Sequence, residues 1–123
     1  MKKLQTERDL ITLIESDTWM MEILRCVEQQ QLPDSWVCAG FIRSKVWDYL
    51  HDYQDRTPLA DIDVIYFDKQ LISEEQEKQY EQRLLELLPK EPWSVKNQAR
   101  MHIVNASEPY QSSVDGMAHF PEI

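Results

Sequence analysis

The first thirty residues carry apolar side chains at helical spacing in two successive segments. Thr6 can cap a first helix whose apolar residues are Leu10, Ile11, Leu13 and Ile14. Ser16 or Asp17 can cap a second helix, whose apolar stripe consists of Trp19, Met20, Ile23, Leu24 and Val27. A stripe of this kind is typical of a packed helix face rather than of a cofactor site. We expect the two helices to cover one side of a sheet.

The middle of the chain predicts a strand, a helix, a loop and a second strand. Residues 36–39 are continuously apolar, which is typical of a strand inside a sheet that is covered on both faces. Gly40 breaks this run, and apolar residues then recur at helical spacing as far as about His51. Residues 52–60 are polar and include a proline, so we expect a loop. Residues 61–67 are rich in β-branched and aromatic side chains and predict the second strand.

The last third of the chain predicts one long helix and a less regular end. Ser73 and Gln76 form a capping box in front of an amphipathic helix that Pro89 closes. Residues 93–95 are a candidate third strand. Residues 97–105 fit either a continuing strand or a short helix, and we favour the helix. The tail at 107–123 contains two prolines and a glycine and predicts irregular structure.

Length and charge restrict the function classes. A chain of 123 residues with 42% hydrophobic residues fits one folded domain, 1–123. The formal net charge of −9 repels a phosphate backbone, so a nucleic-acid partner is disfavoured. A small polyphosphate chelated by a metal ion stays possible, because the cation supplies the compensating charge. The chain ends abruptly on mostly apolar residues, which suggests a C-terminally truncated fragment of a longer protein.

The remaining compositional signals concern the compartment. Cys26 and Cys38 lie among apolar neighbours and lack the spacing of a metal or redox motif, which favours two buried thiols in a reducing compartment. The N-terminus has no apolar core of a signal peptide, and no window approaches about 18 continuous apolar residues. We therefore predict a cytoplasmic protein that has no membrane span.

Asp61 and Asp63 are the first candidates for chemistry. Alternate residues of a strand point to the same face, so these two carboxylates are expected to lie side by side. Two adjacent like charges are unfavourable unless a cation or a proton lies between them. A divalent cation with oxygen ligands resolves the repulsion, and Mg²⁺ (or Mn²⁺) suits the site best.

Gly40 and Arg43 are candidates for binding phosphate. A glycine lets a phosphate approach the backbone, and a helix N-terminus offers free N–H groups and a partial positive charge. Arg43 in the first turn opposes the helix dipole, which hints at an anionic ligand that its guanidinium could clamp. The alternatives are a simple turn at Gly40 and a surface arginine that pairs with Asp48 or Asp52.

These motifs together resemble the polymerase-beta-type nucleotidyltransferase superfamily. Ala39-Gly40-Phe41-Ile42-Arg43-Ser44 looks like the GGxVRD head of CCA-adding enzymes and poly(A) polymerases, with Asp61-Ile62-Asp63 as the DxD motif. The segments AGFIRSKVWD, TPLADIDVIYFD, VKNQARMH and PYQSSVDGM are similar to a family of uncharacterised bacterial nucleotidyltransferase-like proteins. The resemblance implies an α/β (α+β) fold with a mixed β-sheet, on which the N-terminal helices pack. It also implies that Asp61 and Asp63 are catalytic metal ligands and that Gly40, Arg43 and Ser44 lie near the phosphates of the nucleotide.

The function that the resemblance implies is metal-dependent transfer of NMP from an NTP to a small-molecule or protein acceptor. The superfamily often adds a third carboxylate from a later strand, where this chain offers Ser94, Lys96 and Asn97. A non-catalytic nucleotide- or protein-binding module with the same fold is therefore the alternative.

A second candidate segment lies between residues 96 and 102. It brings cations, amides and an imidazole together, and Asn97, Arg100 and His102 could hold the nucleotide or the acceptor. The alternative is that Arg100 pairs with the acidic helix and that His102 packs near the core.

Overall fold

The computed structural model describes residues 4–38, 40–104 and 109–117, and of residues 102–104 and 117 it describes the backbone. The helices in these ranges are α1 (Glu7–Glu15), α2 (Thr18–Gln29), α3 (Gly40–Leu50), α4 (Glu74–Leu87), α5 (Gln98–Val104) and α6 (Ser113–Met117). The strands are β1 (Trp36–Cys38), β2 (Ile62–Tyr66) and β3 (Trp93–Asn97). No helix of the described residues is long and apolar enough to cross a membrane.

The strands form one mixed sheet in the order β1-β2-β3. Strand β1 runs antiparallel to β2, and β3 runs parallel to it. The helix α4 makes the crossover that a parallel pair requires. The mixed sheet with helices confirms the α/β (α+β) prediction.

One face of the sheet is the hydrophobic core. Ile62, Val64 and Tyr66 of β2 alternate toward this face, and their neighbours Trp93 and Val95 on β3 do the same. The apolar stripe of α2 packs there, as do residues of α4, and the fully buried members include Met20, Ile23 and Leu84. The predicted helical cover is thus confirmed for α2, whereas α1 has no buried residue and packs on α2.

The opposite face carries both polar and apolar side chains, and Ile65 on this face is 2% exposed. Strand alternation turns Asp63 and Ile65 of β2 away from the core. The register places Cys38 of β1 and Ser94 of β3 on either side of Asp63. Two residues further along β2, Ile65 pairs with Trp36 of β1 on one side and with Lys96 of β3 on the other.

Local capping signals explain where the helices begin. The Thr6 hydroxyl accepts the Asp9 N–H at 3.1 Å, and the Asp17 carboxylate accepts the Met20 N–H at 3.1 Å. The Ser73 hydroxyl accepts the Gln76 N–H at 3.3 Å at the start of α4. Each bond satisfies a backbone donor that the first helical turn leaves without a partner.

Two predictions need correction. The apolar run predicts a strand inside the sheet, but β1 is an edge strand, and Trp36 is 47% exposed while its indole N–H donates to Asp34. The run of apolar letters cannot tell how many neighbours a strand has. The composition of the tail predicts irregular structure, but the tail contains α6, because the Ser112 hydroxyl caps the Asp115 N–H at 3.1 Å. Residues 39, 105–108 and 118–123 lie outside the described ranges.

Candidate active site

The N-terminus of α3 gathers the three residues predicted to lie near phosphate. A Cβ built on Gly40 would lie 3.7 Å from the Arg43 Nη2 atom and 3.9 Å from the Ser44 Oγ atom. The guanidinium and the hydroxyl therefore converge on the glycine at the helix start. The backbone N–H groups of the first turn of a helix also point toward its N-terminus, which in α3 is Gly40.

Asp63 lies next to this helix start. It pairs across the sheet with Cys38, the last residue of β1, and α3 begins two residues later at Gly40. Burial, together with the negative charge of Asp63, raises the pKa of the Cys38 thiol to about 12. The thiol therefore stays protonated near neutral pH. Both cysteines are free and buried, as predicted.

Asp61 precedes β2 by one residue and is exposed. Asp61 lies two residues before Asp63, so an extension of the strand alternation by one residue beyond β2 would place both carboxylates on the face that is opposite to the core. Two carboxylates on one face are hard oxygen donors of the type that Mg²⁺ and Mn²⁺ take. The donor chemistry therefore fits the predicted cation. Among the described residues, no group of three or more His, Cys, Asp or Glu side chains comes together as a metal site.

The loop between α3 and β2 is held by contacts to α3 and to the start of α2. The Asp48 carboxylate accepts hydrogen bonds from the backbone N–H of Thr57, at 2.9 Å, and from its hydroxyl. Arg56 of the same loop pairs with Asp17 at the start of α2. The Leu59 side chain then lies 3.5 Å from the position of a Gly40 Cβ. These contacts hold the loop in place up to Leu59, two residues before Asp61.

Asn97 lies elsewhere, on the core side of the last position of β3. It is 0% exposed, and its amide nitrogen donates to the carbonyl oxygens of Asp68 and Leu71. Its side-chain oxygen accepts the N–H groups of Asp68 and Ala99, each at 3.0 Å. These four bonds use the full capacity of the amide. Asn97 therefore holds the connection after β2 against the start of α5.

Arg100 is engaged by the acidic helix α4, which is the alternative that the sequence left open. Its guanidinium makes a two-pronged ion pair with Glu77, in which Nη2 lies 2.9 Å from Oε1. Glu77 is 1% exposed, and this carboxylate raises the pKa of Arg100 further. The side chain of His102 lies outside the described part of the chain, so its predicted role stays a prediction.

Sequence reasoning did not single out Lys96 as a site residue of its own. The residue lies in the 96–102 segment. Its neighbour Asn97 points to the core, whereas Lys96 lies on the opposite face of the sheet, which carries Asp63 and is called the carboxylate face from here on. The signal that could have found it is the alternation of the strand WSVKN. It sends Trp93, Val95 and Asn97 inward and leaves Ser94 and Lys96 on the other side.

Comparisons with known proteins identify a family for the chain. A family model described as "Nucleotidyltransferase" matches residues 25–123. A solved structure that is similar to this chain is described in the words "The NMR structure of the protein reveals a CCA-adding enzyme head domain". The two share 32% sequence identity with a TM-score of 0.79 over 97% of this chain and 62% of the other. No curated protein matches significantly. Because this model matches most of the sequence, the chain belongs to the nucleotidyltransferase family.

Proposed function

We propose that the protein transfers a nucleoside monophosphate from an NTP to a small-molecule or protein acceptor, with Mg²⁺ or Mn²⁺ bound by Asp61 and Asp63. The observation that carries the proposal is the pairing of Cys38 with Asp63. It brings the start of α3, with Gly40, next to a carboxylate of the DxD motif. A phosphate donor site and a cation site then share one edge of the sheet.

The residues at the start of α3 would bind the triphosphate. Backbone N–H groups of the first turn and the Ser44 hydroxyl donate hydrogen bonds, and the Arg43 guanidinium can grip two phosphate oxygens at once. Gly40 leaves room for the approach, because no side chain of its own stands in front of these donors. Their positive potential stabilises the negative charge that develops on the phosphates during transfer.

Asp61 and Asp63 would hold the cation and orient the reaction. When bound, the cation neutralises phosphate oxygens and makes pyrophosphate a better leaving group. The acceptor oxygen forms a bond to the α-phosphorus while the bond to the bridging oxygen of the β-phosphate breaks, which releases pyrophosphate. The hydroxyl proton of the acceptor can pass to one of the two carboxylates.

Charge supports the choice of acceptor. The net charge of −9 disfavours a long nucleic-acid partner, whereas a small acceptor or a protein side chain meets no such repulsion. The two free, buried cysteines suit a reducing compartment and support a cytoplasmic site of action.

The test is binding followed by turnover. Calorimetric titration with each of the four nucleoside triphosphates, with and without Mg²⁺, should show binding that depends on the cation. Asp63→Asn should weaken that binding at least about tenfold, because a neutral amide is a poor cation ligand. Asp55→Asn is the matched control, since Asp55 is an exposed carboxylate of the loop at 52–60. Pyrophosphate release in the presence of candidate acceptors then measures turnover.

The outcomes separate the two functions. Cation-dependent binding that Asp63→Asn removes and Asp55→Asn preserves, with pyrophosphate release, supports the transferase. The same binding with no release for any acceptor would favour a non-catalytic nucleotide-binding module. If no triphosphate binds with or without Mg²⁺, the proposal is wrong.

A further inference from the structure

Lys96 lies on the carboxylate face of the sheet, on the side of Asp63 that is opposite to α3. Strand β3 pairs with β2 so that Ser94 stands beside Asp63 and Lys96 stands beside Ile65. With strands about 4.8 Å apart and about 3.3 Å of rise per residue, the Cα atoms of Asp63 and Lys96 are separated by roughly 8 Å. A long, flexible lysine stem can bring its ammonium group to a ligand above Asp63.

The surroundings of Lys96 distinguish it from the other cations of the protein. Three cationic side chains in the described ranges are half-buried, namely Lys45, Lys96 and Arg100. Lys45 pairs with Asp17 at 2.9 Å, and Arg100 pairs with Glu77. Within the described part of the chain, Lys96 Nζ has no carboxylate at salt-bridge distance. An anionic ligand would supply to Lys96 the negative charge that Asp17 and Glu77 supply to the other two cations.

We propose that Lys96 forms the second wall of the triphosphate site and binds phosphate oxygens across the carboxylates from Arg43. This inference rests on the proposed function, because it uses the same nucleotide. Arg43 approaches from the β1 side of Asp63, and Lys96 approaches from the β3 side. A phosphate chain that runs from the start of α3 over Asp63 then lies between two cations, which offset its charge in an otherwise acidic protein.

The test uses a ligand without a nucleobase, so that only phosphate recognition is measured. Inorganic tripolyphosphate with Mg²⁺ is titrated by calorimetry into the wild type, Lys96→Met, Lys96→Arg, Asp63→Asn and Lys90→Met. Methionine keeps the unbranched apolar stem and removes the charge. Lys90 is an exposed lysine in the turn before β3 and serves as the matched control.

We expect Lys96→Met to weaken tripolyphosphate binding about tenfold, the size of one lost charge-assisted hydrogen bond. Lys96→Arg should retain most of the affinity, and Lys90→Met should match the wild type. The thermal midpoint of Lys96→Met should stay near that of the wild type, which separates binding from folding. If Lys96→Met loses its fold, Lys96→Gln replaces it with the same expected loss.

Contrary results identify which proposal fails. If the wild type binds and Asp63→Asn weakens binding, but Lys96→Met binds like the wild type, the role of Lys96 is wrong and the proposed function stands. If Lys96→Met and Lys90→Met lose the same affinity, the loss reflects the net charge of the protein, and the specific role of Lys96 is wrong. If the wild type binds neither tripolyphosphate nor any triphosphate with Mg²⁺, both proposals are wrong.

Discussion

At the residue scale, Gly40 is the position where the fold itself does not require a glycine. Its backbone is helical and has no positive φ, so no unusual conformation requires a glycine here. A Cβ at this position would meet Leu59, Arg43 and Ser44 at 3.5–3.9 Å, which is ordinary van der Waals contact. The structure therefore leaves room for a Cβ at this position, and under the proposed function the glycine would serve the approach of a phosphate.

Gly40→Ala tests that explanation. Alanine is favoured over glycine in a helix, so the free energy of unfolding should stay the same or rise by up to about 1 kcal/mol. Binding of the Mg²⁺–triphosphate complex should fall at least several-fold, because the methyl group stands where a phosphate would approach the backbone. Urea unfolding and calorimetry on the same preparation measure the two effects. An alanine variant that binds as tightly as the wild type would show that Gly40 is only a turn residue.

At the scale of elements, the helices and strands whose limits depend on nearby residues could be predicted from the sequence. The cap residues Thr6, Asp17 and Ser73 mark helix starts because each bonds a backbone group within three positions. The candidate third strand at 93–95 and the favoured helix after it are confirmed as β3 and α5. The likeness of residues 39–44 and 61–63 to known motifs pointed to α3 and β2 as the site elements.

What could not be predicted depends on partners far away in the chain. Pairing of Arg100 with the acidic helix was one of two alternatives, but nothing around Arg100 singles out Glu77, 23 residues earlier, as the partner of its guanidinium. Nothing around Asn97 shows that a loop 26 to 29 residues earlier would occupy its amide. The edge position of β1 and the placement of Lys96 follow from strand order and register, which the apolar pattern alone leaves open.

The ion pair between Glu77 and Arg100 fixes α5 to α4, and its removal should be costly. Glu77→Gln leaves a half-buried guanidinium without its carboxylate, which should lower the free energy of unfolding by about 3–5 kcal/mol. The double variant Glu77→Leu with Arg100→Met should recover much of this loss, because it removes both charges. Urea unfolding of the two variants measures both changes. A loss below about 1 kcal/mol in Glu77→Gln would contradict a structural role for the pair.

At the scale of the whole molecule, Asp17 joins the helical layer to the site. It caps α2, and its carboxylate receives Lys45 of α3 and Arg56 of the loop that leads to Asp61. Arg56 also stacks over the Trp19 ring at 4.0 Å, and the Trp19 indole donates to Glu91 just before β3. One buried carboxylate thus connects α2, α3 and the loop that leads to Asp61.

Asp17 should therefore make stability depend on pH. Burial alone would raise its pKa, but hydrogen bonds from Arg56, Lys45 and the Met20 N–H outweigh burial, so the pKa lies well below the usual value of 3.8. A carboxyl whose pKa is lower in the folded state stabilises the fold above its unfolded pKa and loses this contribution as the pH falls toward the folded value. Asp17→Asn should cost about 1.5–3 kcal/mol near neutral pH, as charge-assisted hydrogen bonds do.

The pH profile of this cost is the decisive measurement. Urea unfolding of the wild type and Asp17→Asn between about pH 7 and pH 3 should show a constant difference down to about pH 4 and a shrinking one below it. Glu15→Gln, at an exposed carboxylate that ends α1, should follow the wild type throughout. A difference that stays constant to the lowest pH would show that Asp17 acts through its shape as a helix cap and not through its charge. In that case, the connection between the helical layer and the site would have to rest on packing around Trp19 instead.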